Sequence, residues 1–417
     1  MSVFLEAPLE TLCRKVTDGT HDSPKLLPDG VPFIKGKHIS QGYLNLDYCD
    51  YISREDHLKV IARSKPERGD TLFSNIGSVG DSAFVNTDAE FSIKNVALFK
   101  PDFERVVPKY LFYLLRSPSV LGGLLSIRSG SAQPFIGLET LRKYMVRYHG
   151  SLSTQSQVVS ILSAYDDLIE NNTRRIEILE EIARRLYEEW FVQFRFPGRE
   201  GVEFKESEFG LIPEGWSVVK LEEICDLITD GAHKSPPTAE TGMPMASVKD
   251  MHDWGIDVSK CRKISQPDYD ALVRNNCKPM VGDVLVAKDG SYLKHIFSVE
   301  KDQDLVLLSS IAILRPTNKS VSDLLVCLLR HPETIARMKG CVSGVAIPRI
   351  ILKDFRKFQV VLPNQGLQEA WLAIASPLMR LCRKLVDKNA NLRAQRDLLL
   401  PKLISGEIDV SDIPMPT

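Results

Sequence analysis

Shifted by 212 residues, this chain matches itself. Leu9–Ser53 lies on Leu221–Ser265 without a gap, with fifteen identities in forty-five positions, where average composition gives about one in sixteen. Thr17, Asp18, Gly19, His21, Ser23 and Pro24 fall on Thr229, Asp230, Gly231, His233, Ser235 and Pro236, and Cys13 and Cys49 on Cys225 and Cys261. The echo continues with small gaps. Gly69, Asp70, Gly77 and Ser78 answer to Gly282, Asp283, Gly290 and Ser291; Leu114–Arg116 to Leu328–Arg330; Gly130 and Pro134 to Gly344 and Pro348; Arg142 to Arg356. A chain that copies itself once folds as two related units. Its 417 residues also exceed what one core ordinarily organises.

Within each copy, short β-branched and aromatic runs are broken by Gly, Pro, Asn and Asp, with one or two helices such as Lys109 to Arg116. That is the texture of an α+β domain rich in strands. Each copy is followed by a segment of another kind. From Thr154 to about Phe194 there is no Pro or Gly. A heptad seam runs there through Val158, Leu162, Tyr165, Ile169, Asn172, Ile176, Leu179, Ala183, Leu186 and Trp190. A second seam runs through Trp371, Ala375, Leu378, Cys382, Leu385, Asn389, Leu392, Arg396, Leu399 and Leu403, with a kink expected at Pro377. One asparagine sits near the middle of each seam. Such a residue costs stability and sets register, and these two can meet only if the helices run antiparallel. The expected architecture is therefore two duplicated α+β domains and a pair of long antiparallel coiled-coil helices, in pseudo-twofold arrangement. The expected division is 1–150 and 199–363 for the domains, the latter with its linker, and 151–198 and 364–417 for the helices and C-terminal tail.

Composition removes several classes. No apolar run reaches the eighteen or more residues of a membrane span, and Met1–Glu10 has no basic region before an apolar stretch, so a cytoplasmic protein is expected. Eight cysteines without a Cys-x-x-Cys pair favour reduced thiols over zinc spacings or a disulfide framework. The repeated Cys13, His21, Cys49 set, with Cys225, His233 and Cys261, reads as small buried residues more readily than as metal ligands. Asn75–Gly80 lacks the Lys and Ser/Thr of a phosphate-cradling loop, and no dinucleotide fingerprint, nucleophile elbow or methyltransferase motif appears. No active site and no metal site are expected. The formal net charge of −1 gives no general grip on a polyanion, so any nucleic-acid role must rest on local patches.

Candidate patches lie in the repeated loops. Thr20 and His21 follow the Thr-Asp-Gly turn, as His233 and Lys234 do in the second copy, and turn chemistry alone could explain that motif. Lys35, Lys37, His38, Asn75, Ser78 and Gln133 in the first copy, and Lys249, Lys288, Ser291 and Arg349 in the second, have the chemistry to contact phosphates and base edges. Asn172, Ile176, Leu179, Leu186, Trp190, Leu385, Asn389, Leu392 and Leu399 are the residues expected to pair the helices and to dock partners.

The order of domain, long helix, related domain, long helix resembles the specificity subunit of type I restriction–modification systems. The stretch Leu168 to Gly198, with Arg184, Arg185, Leu186, Tyr187, Trp190, Phe191, Phe194, Phe196, Pro197 and Gly198, is similar to that family's central conserved helix and its exit. Arg393 to Glu407 is similar to its distal conserved region. The resemblance implies two target-recognition domains, about 1–150 and 212–363, each reading half of an asymmetric bipartite site on double-stranded DNA. It implies that the helices set the spacer and dock two modification subunits, with restriction subunits completing the enzyme. S-adenosylmethionine, ATP and magnesium would belong to those partners and none to this chain, which directs adenine methylation and cleavage without catalytic residues of its own. Two rival readings stay open from the residues alone. One is a coiled-coil scaffold that binds proteins and never touches bases; the other is an enzyme using the Cys/His set.

Overall fold

The structure, a computed structural model, describes residues 3–40, 42–44, 46, 48–130, 134–290, 292–344 and 348–410. It divides into two compact units: Met1–Glu170 with Ala390–Thr417, and Asn171–Asn389. The division expected along the chain treats each long helix as a segment of its own. Compactness divides it differently, because each helix packs its ends into different cores.

The two units repeat one topology. In the first, a four-stranded sheet runs Cys13–Asp18, Ala97–Pro101, Thr71–Phe73, Ser82–Phe84; in the second, Cys225–Asp230, Ile311–Pro316, Val284–Ala287, Ile296–Ser298. Beside each lies a three-stranded sheet, Asp50–Ile52, Val31–Ile34, Ser92–Ile93 and its counterpart Arg262–Ile264, Met243–Ala246, Val306–Leu307, with one antiparallel and one parallel pairing in both copies. Paired apolar helices cover the sheets: Pro108–Arg116 and Pro118–Ser126 in the first unit, Ser322–Arg330 and Pro332–Met338 in the second. Proline opens three of these four helices, at a position where its missing N–H costs nothing.

The residues that repeat in sequence do equivalent structural work. Ser53 and Ser265 cap the helices Arg54–Ser64 and Gln266–Arg274, accepting from the amides of Asp56 at 3.0 Å and Asp268 at 3.3 Å. Arg142 donates from Nε and Nη2 to the Val16 carbonyl, and Arg356 makes the same fork on the Ile228 carbonyl, both with the Nη2 bond at 2.7 Å. Asp70 and Asp283 are buried and are paired from the neighbouring strand, by Lys100 at 2.6 Å and Arg315 at 2.8 Å. Gly19 and Gly231 stand so close to the next sheet that a Cβ would lie 2.2 Å from the Ile93 carbonyl oxygen and 2.1 Å from that of Leu307. No side chain fits there.

The long helices are Leu152–Tyr187, which widens into a π turn over Glu188–Val192, and Gln365–Ser405. They pair antiparallel. In the first unit Val158 and Leu162 share a core with Leu400, Leu403 and Ile404, and Asp166 takes an ion pair from Arg396 at 2.6 Å. In the second, Ile176 packs on Cys382 and Leu385, and Asn172 Nδ2 donates to Asn389 Oδ1 at 2.8 Å, both asparagines buried. The second helix runs on through Pro377 without interruption: the carbonyl left without an amide donor belongs to Ala373, an exposed residue, so water can satisfy it. One detail differs from the sequence expectation. Met379, not Leu378, is the buried residue that follows Ala375, since the start of this helix packs on its own domain core, where a 3.6-residue period holds in place of the heptad.

Candidate nucleic-acid interface

In each unit the same loops are gathered at one end of the sheets. In the first, Thr20 bridges Lys94, the Lys94 amide donates to Ile34 O at 2.8 Å, Gly36 abuts Ser74 and Ile76, and Ile76 bridges Phe135. In the second, Ala232 bridges Leu308, whose amide donates to Ala246 O at 2.8 Å. The Lys288 amide donates to Ser310 O at 2.8 Å, and Asp289 bridges Arg349. Residues far apart in sequence thus form one contiguous loop surface per unit.

The Thr-Asp-Gly-x-His motif is the corner of that surface. Asp18 and Asp230 lie beneath it, 6% and 7% exposed, and hold the exposed His21 and His233 through Nε2 at 3.1 and 3.0 Å. His21 Nδ1 also meets Asn95 Oδ1 at 2.8 Å. Each aspartate also pairs with a cation. In the first unit it is Arg63, from the helix Arg54–Ser64; in the second it is Lys288, at 2.9 Å.

Several side chains expected at the interface are spent inside the fold. Lys288 is 6% exposed and neutralises Asp230, so it has no free charge to offer a phosphate. Asn75 is buried and donates to the Ile136 carbonyl at 3.1 Å, pinning a loop. His38 is buried and its Nδ1 accepts from the Lys35 amide at 3.1 Å; burial pushes its imidazole pKa down, which keeps the ring neutral. Lys35 bonds Asp50 at 2.6 Å and holds that carboxyl below its usual range, with Lys37 at 3.5 Å from the same group. These five serve the corner's architecture first, and only Lys37 of them is well exposed.

Others do face outward. His21, Ser78, His233, Lys234, Lys249 and Arg349 are exposed, and Thr20 is half-buried. Among the described residues, no acid pairs with Lys234, Lys249 or Arg349. Gln133 and Ser291 lie outside the described residues. Sequence reasoning passed over Asn95, which takes a left-handed φ of 52° beside His21, and Phe135, 45% exposed on the loop. Asn95 offers no strong signal. Phe135 could have been found, because it aligns with Arg349 immediately after Pro134, in the echo that pairs Gly130 and Pro134 with Gly344 and Pro348.

The Cys/His set does not converge. Cys13 packs on the core under the four-stranded sheet and Cys49 on a separate cluster, while His21 is held by Asp18. Burial pushes the Cys13 and Cys225 thiols up to about 12, as befits packing residues. Among the described residues no cluster of His, Cys, Asp and Glu could hold a metal, and no helix is long and apolar enough to cross a membrane.

The helix residues named for pairing are mostly consumed by it or by domain packing. Ile176, Leu385, Asn172 and Asn389 are buried, Leu179 and Leu399 are half-buried against neighbouring clusters, Leu392 is half-buried, and Leu186 and Trp190 pack on the core of the second unit. A partner cannot reach side chains that already fill the seam. On the long helices within the second unit, the large apolar groups left outside among the described residues are Ile178 and Ile182, one turn apart at 51% and 46% exposed, with Ile374 and Leu381 on the other helix.

Comparison with known proteins places this arrangement. Residues 213–391 match the type I restriction modification DNA specificity domain. The MjaVIII type I restriction enzyme specificity subunit of Methanocaldococcus jannaschii is 30% identical over 312 residues, covering 73% of this chain and 71% of that one. The MjaIX specificity subunit of the same organism is 24% identical over 409 residues, 94% of this chain and 88% of the relative. Among solved structures, the S subunit of a type I restriction–modification system from M. genitalium covers 100% of this chain and 97% of its own, with a TM-score of 0.57 at 15% identity, a likeness of fold. The chain belongs to the family of type I restriction enzyme specificity subunits.

Proposed function

We propose that this chain is the DNA-reading, non-catalytic component of a type I restriction–modification enzyme, and that each unit reads one half of an asymmetric bipartite duplex site. The observation that carries the reading is the contrast within the duplication: the corner aspartates, their histidines, the forked arginines and the glycine contacts are the same in both units, while outward side chains at some matching loop positions differ, Asp22 against Lys234 and Phe135 against Arg349. One scaffold presenting two sets of exposed groups is what two different half-sites require. In this reading the paired helices determine how many unread base pairs separate the halves. The exposed Ile178, Ile182, Ile374 and Leu381 give a modification subunit an apolar place to dock. S-adenosylmethionine, ATP and magnesium serve the modification and restriction partners, and methylation and cleavage follow the one address this chain reads.

The test is a genome-wide map of methylated adenines in cells producing the chain with its cognate modification subunit. A split motif with a fixed gap is expected. Methylation without a shared motif, or a single continuous motif, would sink the reading and favour a scaffold that leaves base recognition to others.

A further inference from the structure

One loop in each unit is built to the same backbone pattern yet delivers a different side chain. In the first unit the Gly77 amide donates to Pro134 O at 2.9 Å and the Ile136 amide to Asn75 O at 2.8 Å. In the second, the Gly290 amide donates to Pro348 O at 3.1 Å and the Ile350 amide to Lys288 O at 3.0 Å. Gly77 and Gly290 both take a left-handed φ, 75° and 68°, so the turn that receives the loop is the same. Between the two bonds stands Phe135 in one copy, bridged to Ile76, and Arg349 in the other, bridged to Asp289. Both are exposed.

We infer that this is a base-reading position in each unit: Arg349 reads a guanine and Phe135 an A·T pair, through the thymine methyl. The inference deepens the DNA-reading function proposed above and rests on it. Arg349 qualifies because its guanidinium has no acid partner among the described residues, in contrast with the paired Lys288 beside it. Its planar fork suits the O6 and N7 acceptors of guanine, whereas lysine would make a less directional contact. Phe135 has no polar atom to satisfy at a base edge. Holding an aromatic ring 45% exposed costs hydrophobic free energy in the free protein, which contact with an apolar methyl recovers. The backbone bonds anchor each loop at both sides of the residue, so the side chain is positioned before DNA arrives.

The experiment maps methylated adenines as before, for the natural chain and for Arg349→Ala, Arg349→Gln, Phe135→Ala and Phe135→Arg, with the melting temperature of each purified chain as a folding control. Arg349→Ala and Arg349→Gln are expected to relax one G·C position in one half of the motif, with discrimination there falling by about tenfold or more. Phe135→Ala should relax one A·T position in the other half, and Phe135→Arg should shift it toward G·C. An unchanged motif in all four variants overturns the inference while leaving the split-site reading intact. Changes confined to the same half overturn it too, as does methylation lost outright in folded variants, since the side chains would then hold the complex and not read bases. Absence of any motif with the natural chain defeats the function itself.

Discussion

Asp18 and Asp230 show how a polar motif in an exposed loop can be structural work. Each buried carboxylate is neutralised by one cation, Arg63 for Asp18 and Lys288 for Asp230, and the histidine it holds is aimed outward. Buried histidines play a different part. His57 is 1% exposed, meets Ser92 Oγ at 2.9 Å through Nδ1, and has no partner at Nε2 among the described residues; burial pushes its imidazole pKa below the usual 6.5. His38 and His252 are shifted the same way for the same reason. The folded chain therefore binds fewer protons at these rings than the unfolded chain does, so stability is complete above about pH 6.5 and falls as acid protonates the unfolded imidazoles. Each such ring contributes at most about 1.4 kcal/mol per pH unit within that window. Urea midpoints at pH 7.5 and 5.5 should diverge in the natural chain, and less so in His57→Gln; equal divergence in both would show that this ring is not a source of the slope.

At the scale of elements, the helix pair joins an apolar seam to a few buried polar contacts that set its register. Leucines alone would tolerate a slip of one heptad, since every layer would meet a similar layer. Asn172 against Asn389 and Asp166 against Arg396 do not tolerate it, because a slip strands buried polar groups away from their partners. Asn172→Ala removes the donor that Asn389 Oδ1 accepts from, and should cost about 1–3 kcal/mol of unfolding free energy. Asn172→Leu combined with Asn389→Leu should recover most of that loss by replacing both partners with apolar groups. A double variant no more stable than the single one in a urea titration would mean that the asparagines act through something other than their mutual bond. The same register bears on spacer length: a heptad added to one helix alone would displace the asparagine from its partner, so lengthening the pair calls for a matched insertion in both.

At the scale of the whole molecule, charge is the controlling quantity. A formal net charge of −1 leaves no broad attraction for a duplex, and Lys35 and Lys288, two of the cations expected to supply it locally, are tied to acids. Affinity must then come from shape, base contacts and whatever clamps the DNA from outside this chain. Measured at one salt concentration, the complex with the modification subunit should prefer its own motif over unrelated duplex by at least about a thousandfold, and the chain alone by much less. Equal preference would place the whole grip in this chain. A reader of this kind gains from near neutrality, because a strongly basic chain would hold every sequence about equally well.

The duplication, the α+β texture of each copy and the two long amphipathic helices could be read in the sequence because each is a pattern of spacing. Self-comparison finds the first, and the periods of two and about three and a half find the others. Even the antiparallel sense followed from where one asparagine stood in each seam. The candidate site was legible only in part. Whether Lys288 faces DNA or neutralises Asp230, whether His38 offers a proton donor or caps a turn, and whether Phe135 is core or surface all depend on partners tens of residues away. The division of each helix between two compact units is likewise invisible to periodicity. Local pattern dictates which face of an element is apolar, but the exposure and charge state of a single polar side chain depend on long-range contacts, and only the folded chain brings those together.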